Sequence, residues 1–197
     1  MTGGVVFRSV GVDEIKISEH ELAARVGCYC SSAPLGLERA LGEVRAASAP
    51  RICYLKVGVE YPRPGVVSVG GCEMVSAGLL RCLCGAREAY LVAVTLGGEV
   101  DRLLRRAAVS SGAEHFLLDG AASAMCEALC EVADREIREG RVCTGRYSPG
   151  YGDLSLDVQP KILDKLSAAR LLGITLTDEY LMIPTKSITA IIGVKNG

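Results

Sequence analysis

Only two histidines occur in the chain, and there is no tryptophan. His20 follows a helix cap and His115 opens a helical stretch next to Phe116, so neither has an evident catalytic companion in sequence. A Walker A loop, a Gly-x-Gly-x-x-Gly fingerprint and a Gly-x-Ser-x-Gly elbow are also missing, which leaves a hydrolase or a nucleotide-triphosphate enzyme without support. Charge of one sign is lacking too. Lys and Arg number 22 against 23 Asp and Glu, a net charge of -1. With no basic stripe to track a phosphate backbone, nucleic acid is not expected as a partner. Apolar runs such as Ala89 to Leu96 and Ile188 to Val194 fall far short of the ~20 residues a membrane span needs. The opening MTGGVVFRSVGVDE lacks a basic segment, a long apolar stretch and a cleavage site, so export is not indicated. The expectation is a soluble cytoplasmic protein with no membrane partner.

Hydrophobic residues make up 49% and charged residues 23%, ample material for a packed core under a solvated surface. At 197 residues, without an internal repeat, low-complexity segment or linker, the chain reads as one α+β domain over residues 1–197 with a mixed or antiparallel sheet and several helices. The nine cysteines are odd in number and accompany no export signal, so reduced thiols are expected. Cys28-x-Cys30 and Cys82-x-Cys84 raise a thiolate metal site as one option, but their spacing is not the paired zinc-ribbon pattern and no metal ligand is assigned. Cys126 and Cys130, four apart on a helix, read as core-side thiols.

Ser18-Glu-His-Glu21 has capping-box spacing and predicts a helix to about Val26, stopped by Gly27. A second helix is expected from Pro34 to Ala47, a strand from Ile52 to Tyr61, a turn at Pro62 to Gly65 and a hairpin partner at Val66 to Val69. Ser76 should cap a short helix to Cys84, Tyr90 to Thr95 should form a buried strand, and Glu99 to Val109 a helix. Ala113 to Glu139 is strongly helical, with a break expected at Asp119-Gly120. Its apolar face is Ala121, Met125, Ala128, Leu129, Val132, Ala133 and Ile137, while Ser123, Glu127, Glu131 and Arg135 follow at four-residue steps on another face. After a loop over 144–152, a helix from Gln159 to Leu172 and short strands near Tyr180 to Ile183 and Ser187 to Val194 complete the chain.

The loop segment Arg146-Tyr147-Ser148-Pro149-Gly150-Tyr151 is the most informative. Pro149 biases Ser148 towards extended geometry, and Gly150 permits angles or a close approach that a side chain would block. Arg146 offers a planar donor fork suited to a carboxylate, and the tyrosines offer rings with polar tips. On residue types alone, a ligand loop and a plain turn, with tyrosines packed on the fold and an arginine meeting a local acid, both fit. Glu127 is likewise open between a ligand carboxylate and a solvated face.

Arg-x-x-Pro-Gly-Tyr resembles the S-adenosylmethionine-binding reactivation domain of cobalamin-dependent methionine synthase. A long acidic helix precedes the motif, and Gly173-Ile-Thr-Leu-Thr177 and Met182-Ile-Pro-Thr-Lys-Ser187 follow it. The likeness is strongest over 121–194, and the family's N-terminal acidic residue beside a tryptophan has no counterpart. The resemblance implies that Arg146 engages the methionyl carboxylate, Ser148 offers backbone contacts to adenine, and Gly150 and Tyr151 complete the pocket. It also implies that Glu127 faces the ligand's positive charges.

In that family, one-electron oxidation of the cobalamin is reversed with a reductant and the methyl group of S-adenosylmethionine. Here the Asp-x-His-x-x-Gly corrinoid signature is missing, so the cobalamin must come on a partner: a truncated methionine synthase or another corrinoid methyltransferase, with a reductant protein as a further partner. Pro184, Thr185, Lys186 and Ser187 would then form part of the docking surface. No catalytic residue is assigned, because the chemistry belongs to cobalt and sulfonium and the protein supplies binding and orientation. The chain reads as an accessory module, not a complete enzyme. The alternatives are a non-enzymatic S-adenosylmethionine sensor or docking protein on the same fold, and a cysteine-ligated metal protein.

Overall fold

The computed structural model describes residues 4–27 and 36–195. Its strands are β1 (Val6–Ser9), β2 (Arg51–Arg63), β3 (Val66–Val69), β4 (Cys72–Val75), β5 (Glu88–Thr95), β6 (Cys143–Tyr147), β7 (Thr175–Leu176), β8 (Met182–Ile183) and β9 (Ser187–Val194). The helices are α1 (Glu19–Arg25), α2 (Leu37–Ala47), α3 (Ala77–Leu83), α4 (Gly98–Ser110), α5 (Gly112–Arg138), α6 (Gln159–Lys165) and α7 (Ala168–Leu172). β5 lies at the heart of the sheet, between β2 and β9, and β6 forms an edge beyond β9. Every pairing among the described residues is antiparallel, and the architecture is α+β. No helix among the described residues is long and apolar enough to cross a membrane.

β5 reads as a continuous apolar run because helices cover both faces of the sheet. Tyr90, Val92 and Val94 enter a core shared with α1, α2, α4 and α5, while Ala89, Leu91 and Ala93 enter one shared with α3, α6 and α7. This alternation is the two-residue period of a strand. The α5 face expected to be apolar is buried throughout, from Ala121 to Ile137. Cys126 and Cys130 are buried with it, and burial pushes the Cys126 thiol up in pKa and that of Cys130 up to about 11.

Several local expectations need correction. β2 runs through Pro62 to Arg63, with a register shift between Glu60 and Arg63 that accommodates the proline. Gly70 and Gly71, both at positive φ (59° and 81°), make the tight turn that adds β4, a strand without a clear signal in the sequence. α5 does not break at Asp119-Gly120. A Cβ on Gly120 would stand 2.5 Å from Val26 Cγ1, so this glycine gives α1 room to approach. The expected helix over 159–172 is two helices, because Ser167 takes a left-handed φ of 49° between them. Residues 144–147 belong to β6 instead of a loop, and β7 pairs with β8. Cys28, Cys30 and the start of the expected helix at Pro34 lie outside the described residues.

Candidate functional site

A bulge in β6 sets up the site. Cys143 and Arg146 are three apart and would face opposite ways in a regular strand, yet Cys143 packs on the α5-side core and Arg146 reaches α5. The register against β9 shifts between them. The disrupted ladder is mended by side chains: Thr144 Oγ1 accepts from the Gly193 amide at 2.9 Å, and Arg138 at the end of α5 donates to the Cys143 and Thr144 carbonyls at 3.3 and 2.5 Å. Tyr147 then turns into the opposite core.

The motif loop is tied down by its own turn and by α3. The Tyr151 amide donates to the Ser148 carbonyl at 3.1 Å, and the Gly150 amide to the Leu154 carbonyl at 2.8 Å. Gly150 sits at φ 82°, where a Cβ would meet Leu156 Cδ2 at 3.0 Å, so glycine is required by both angle and space. Asp153 accepts from the Ser76 hydroxyl at 2.5 Å and the Ala77 amide at 2.7 Å, with the Gly78 amide and Tyr147 hydroxyl adding longer bonds of 3.1 and 3.3 Å. The Ser76 bond, ahead of the backbone amides, holds the Asp153 carboxyl down at about 2. The Tyr147 and Tyr151 rings meet edge to face at 5.4 Å.

Arg146 is half-buried against α5. Its Nη2 lies 3.5 Å from Glu127 Oε2 and 4.0 Å from Glu131 Oε1, while its Nη1 is buried with no hydrogen-bond acceptor. Burial opposes its charge, but Cys130, Glu127 and Asp134 outweigh that and raise its pKa. A buried donor without a partner carries the desolvation cost that a bound anion would remove.

Two cavities meet at Glu127. The first, about 480 Å³, lies between α1 and α5 and is lined by His20, Glu21, Arg25, Glu127, Glu131 and Arg146. The second, about 460 Å³, is lined by Glu127, Ser148, Pro149, Leu156, Gln159, Leu181, Met182 and Thr185 among others. Each volume falls in the range of small-molecule sites. Arg146, Glu127 and Ser148 are thus brought together. Gly150 and Tyr151 line neither cavity: Gly150 shapes the turn beneath, and Tyr151 is 68% exposed.

The 184–187 loop is anchored more firmly than an exposed loop need be. Thr185 donates its amide and hydroxyl to Asp101 in the first turn of α4, both at 2.9 Å. Lys186 Nζ lies 2.8 Å from Asp119 and 3.0 Å from Ser123, leaving its side chain 14% exposed. The Ser187 hydroxyl donates to the Pro184 carbonyl at 2.7 Å, and both residues are buried. Of the four residues expected to face a partner, Thr185 is the exposed one.

Sequence reasoning missed the α1 wall of the first cavity, His20, Glu21 and Arg25, and in the second Gln159, which accepts from Thr189 at 2.7 Å. The capping box located α1 but carried no signal of what α1 packs on. Among the described residues no group of three or more His, Cys, Asp or Glu is placed to hold a metal. Cys82 instead contacts the Gly145 carbonyl at 3.3 Å.

No family model and no curated protein matches the chain. A solved structure does: the MetH reactivation domain bound to AdoHcy superposes with a TM-score of 0.69 at 15% sequence identity, over 96% of this chain and 78% of that one. The chain therefore has the α+β fold of the MetH reactivation domain.

Proposed function

We propose that the chain binds S-adenosylmethionine around Arg146 and Glu127 and supports reductive methylation of the cobalamin of a separate protein, a methionine synthase lacking this module or another corrinoid methyltransferase. The observation that carries the reading is the Arg146 guanidinium, half-buried at a cavity wall with Nη1 lacking an acceptor. A ligand carboxylate supplies that acceptor, in the planar geometry a guanidinium favours. The solved neighbour of the same fold holds AdoHcy, which shares the amino acid and adenosine of S-adenosylmethionine.

The remaining residues fit such a ligand. Glu127 and Glu131 offer negative charge to its ammonium and sulfonium. Ser148, Pro149, Leu156 and Met182 line a half-apolar slot for the adenosine, with Gly150 and Tyr151 holding the turn that shapes it. The bound ligand supplies an electrophilic methyl group. The chain's own residues bind it, orient it and leave it open to a partner.

The partner surface in this reading is the lip of the second cavity, where Thr185 and Leu181 stand beside Ile183, which is 47% exposed. Pro184, Lys186 and Ser187 set the shape of that lip from beneath. The module works as a cytoplasmic accessory to methionine biosynthesis, with a reductant protein delivering the electron.

The test mixes the chain with a cob(II)alamin-loaded corrinoid protein from the same organism, S-adenosylmethionine and a one-electron reductant, and follows methylcobalamin by visible absorbance. Methylation should be faster with the chain than without it. Intact ligand binding with no acceleration of any corrinoid protein would refute the reactivation role and make the chain a ligand sensor.

A further inference from the structure

Glu127 is shared between two arginines. Arg146 Nη2 lies 3.5 Å from its Oε2, and Arg25 Nη2 lies 3.5 Å from its Oε1. Arg25 comes from the last turn of α1, far from the motif in sequence. It arrives because Leu22 and Val26 are buried in the core shared with α5, with Val26 lying over Gly120. Both guanidinium groups line the first cavity, with Glu127 between them.

Neither contact is tight. A charge-assisted hydrogen bond between guanidinium and carboxylate settles at about 2.7–2.9 Å. At 3.5 Å each arginine is near Glu127 but not locked onto it, and Arg25 is 45% exposed. A carboxylate entering this cavity therefore meets two cations that share Glu127, one of which, Arg146, also lies 4.0 Å from Glu131. Glu127 is then released to face an ammonium group. The arrangement suits the two opposite charges of an α-amino acid end, not an anion alone.

We infer that Arg25 is a second carboxylate-binding residue, acting from α1 opposite Arg146 and setting a preference for ligands that carry an intact amino acid. This rests on the reading that the cavity receives the methionyl end of S-adenosylmethionine. Arg25 makes the site a clamp between α1 and β6, so ligand binding also fastens α1 to the domain.

The test compares S-adenosylmethionine with its decarboxylated analogue, which keeps the ammonium, sulfonium and adenosine. Dissociation constants are measured by calorimetry for the wild type, Arg25→Gln and Arg25→Glu. The wild type should prefer the intact ligand. Arg25→Gln should cut that preference about two- to fivefold, the scale of a solvent-exposed ion pair, and Arg25→Glu should cut it further. Affinity for the decarboxylated analogue should fall much less. If the wild type binds the intact ligand and both variants keep its preference unchanged, Arg25 is not a carboxylate ligand and the reading of the site still stands. If the wild type binds neither compound, the site reading and this inference fall together.

Discussion

Replacing Gly120 by alanine places a methyl group where α1 leans on α5. The new Cβ would stand 2.5 Å from Val26 Cγ1. Carbon atoms in favourable contact sit about 3.5–4.0 Å apart, so Val26 must retreat by roughly 1 Å or more. Two effects compete. Alanine favours the interior of a helix over glycine by about 1 kcal/mol, while overpacking a filled core costs about 1–3 kcal/mol. The net expectation is a loss of up to about 2 kcal/mol. Val26→Ala alone should cost about 1.5 kcal/mol, the value of two buried carbon groups. Together the two changes remove the clash, so the double variant should be more stable than the sum of the single losses by about 1–3 kcal/mol. Urea unfolding of all four proteins reads the coupling, provided the m-values agree. Additivity to within about 0.5 kcal/mol would refute the close approach of Val26 to Gly120. It would also weaken the placement of Arg25, the residue before Val26.

The acidic anchor of the motif loop has a pH signature. The Asp153 carboxyl is held at about 2, below its ordinary 3.8, so its stabilising effect is full above the ordinary value and lost as pH falls towards about 2. The urea midpoint of Asp153→Asn should therefore lie below the wild type at neutral pH and converge with it in that acidic window; a gap unchanged across the window would contradict the bonding described. Gly150→Ala forces a side chain into a left-handed angle, which costs about 1–2 kcal/mol, and crowds Leu156 as well. Its urea midpoint and its affinity for S-adenosylmethionine should both drop, and an unchanged pair of values would show that the turn does not need glycine.

How much of this was legible in the sequence depends on how local each feature is. The apolar period of α5, the capping box of α1 and the Ser76 cap of α3 were readable because residues within a few positions decide them. Gly120 misled, since glycine weakens a helix in isolation and nothing local shows that Val26 needs the space. The strand character of residues 143–147 was hidden because Gly145 and the bulge interrupt the two-residue alternation. That same bulge turns Arg146 towards α5, so family resemblance could suggest a pocket shared with Glu127 where residue spacing could not. The 184–187 loop was expected at a docking surface because the resemblance implies a partner, whereas Asp101, Asp119, Ser123 and Thr95 bind it from distant parts of the chain. Arg25 carried no motif at all, and its place at the cavity follows only from α1 packing on α5.

Ligand binding at Arg146 is decided by a calorimetric titration of S-adenosylmethionine into the wild type and Arg146→Ala. Losing a hydrogen bond to a charged group costs about 1.5–3 kcal/mol, so the variant should bind roughly ten- to a hundredfold more weakly. Its fold should survive, because Glu127 keeps Arg25 as a neighbour and remains partly solvated. Saturable wild-type binding that weakens by this margin in a folded variant is the predicted result; equal affinities for the two proteins, or no binding by the wild type, would contradict it.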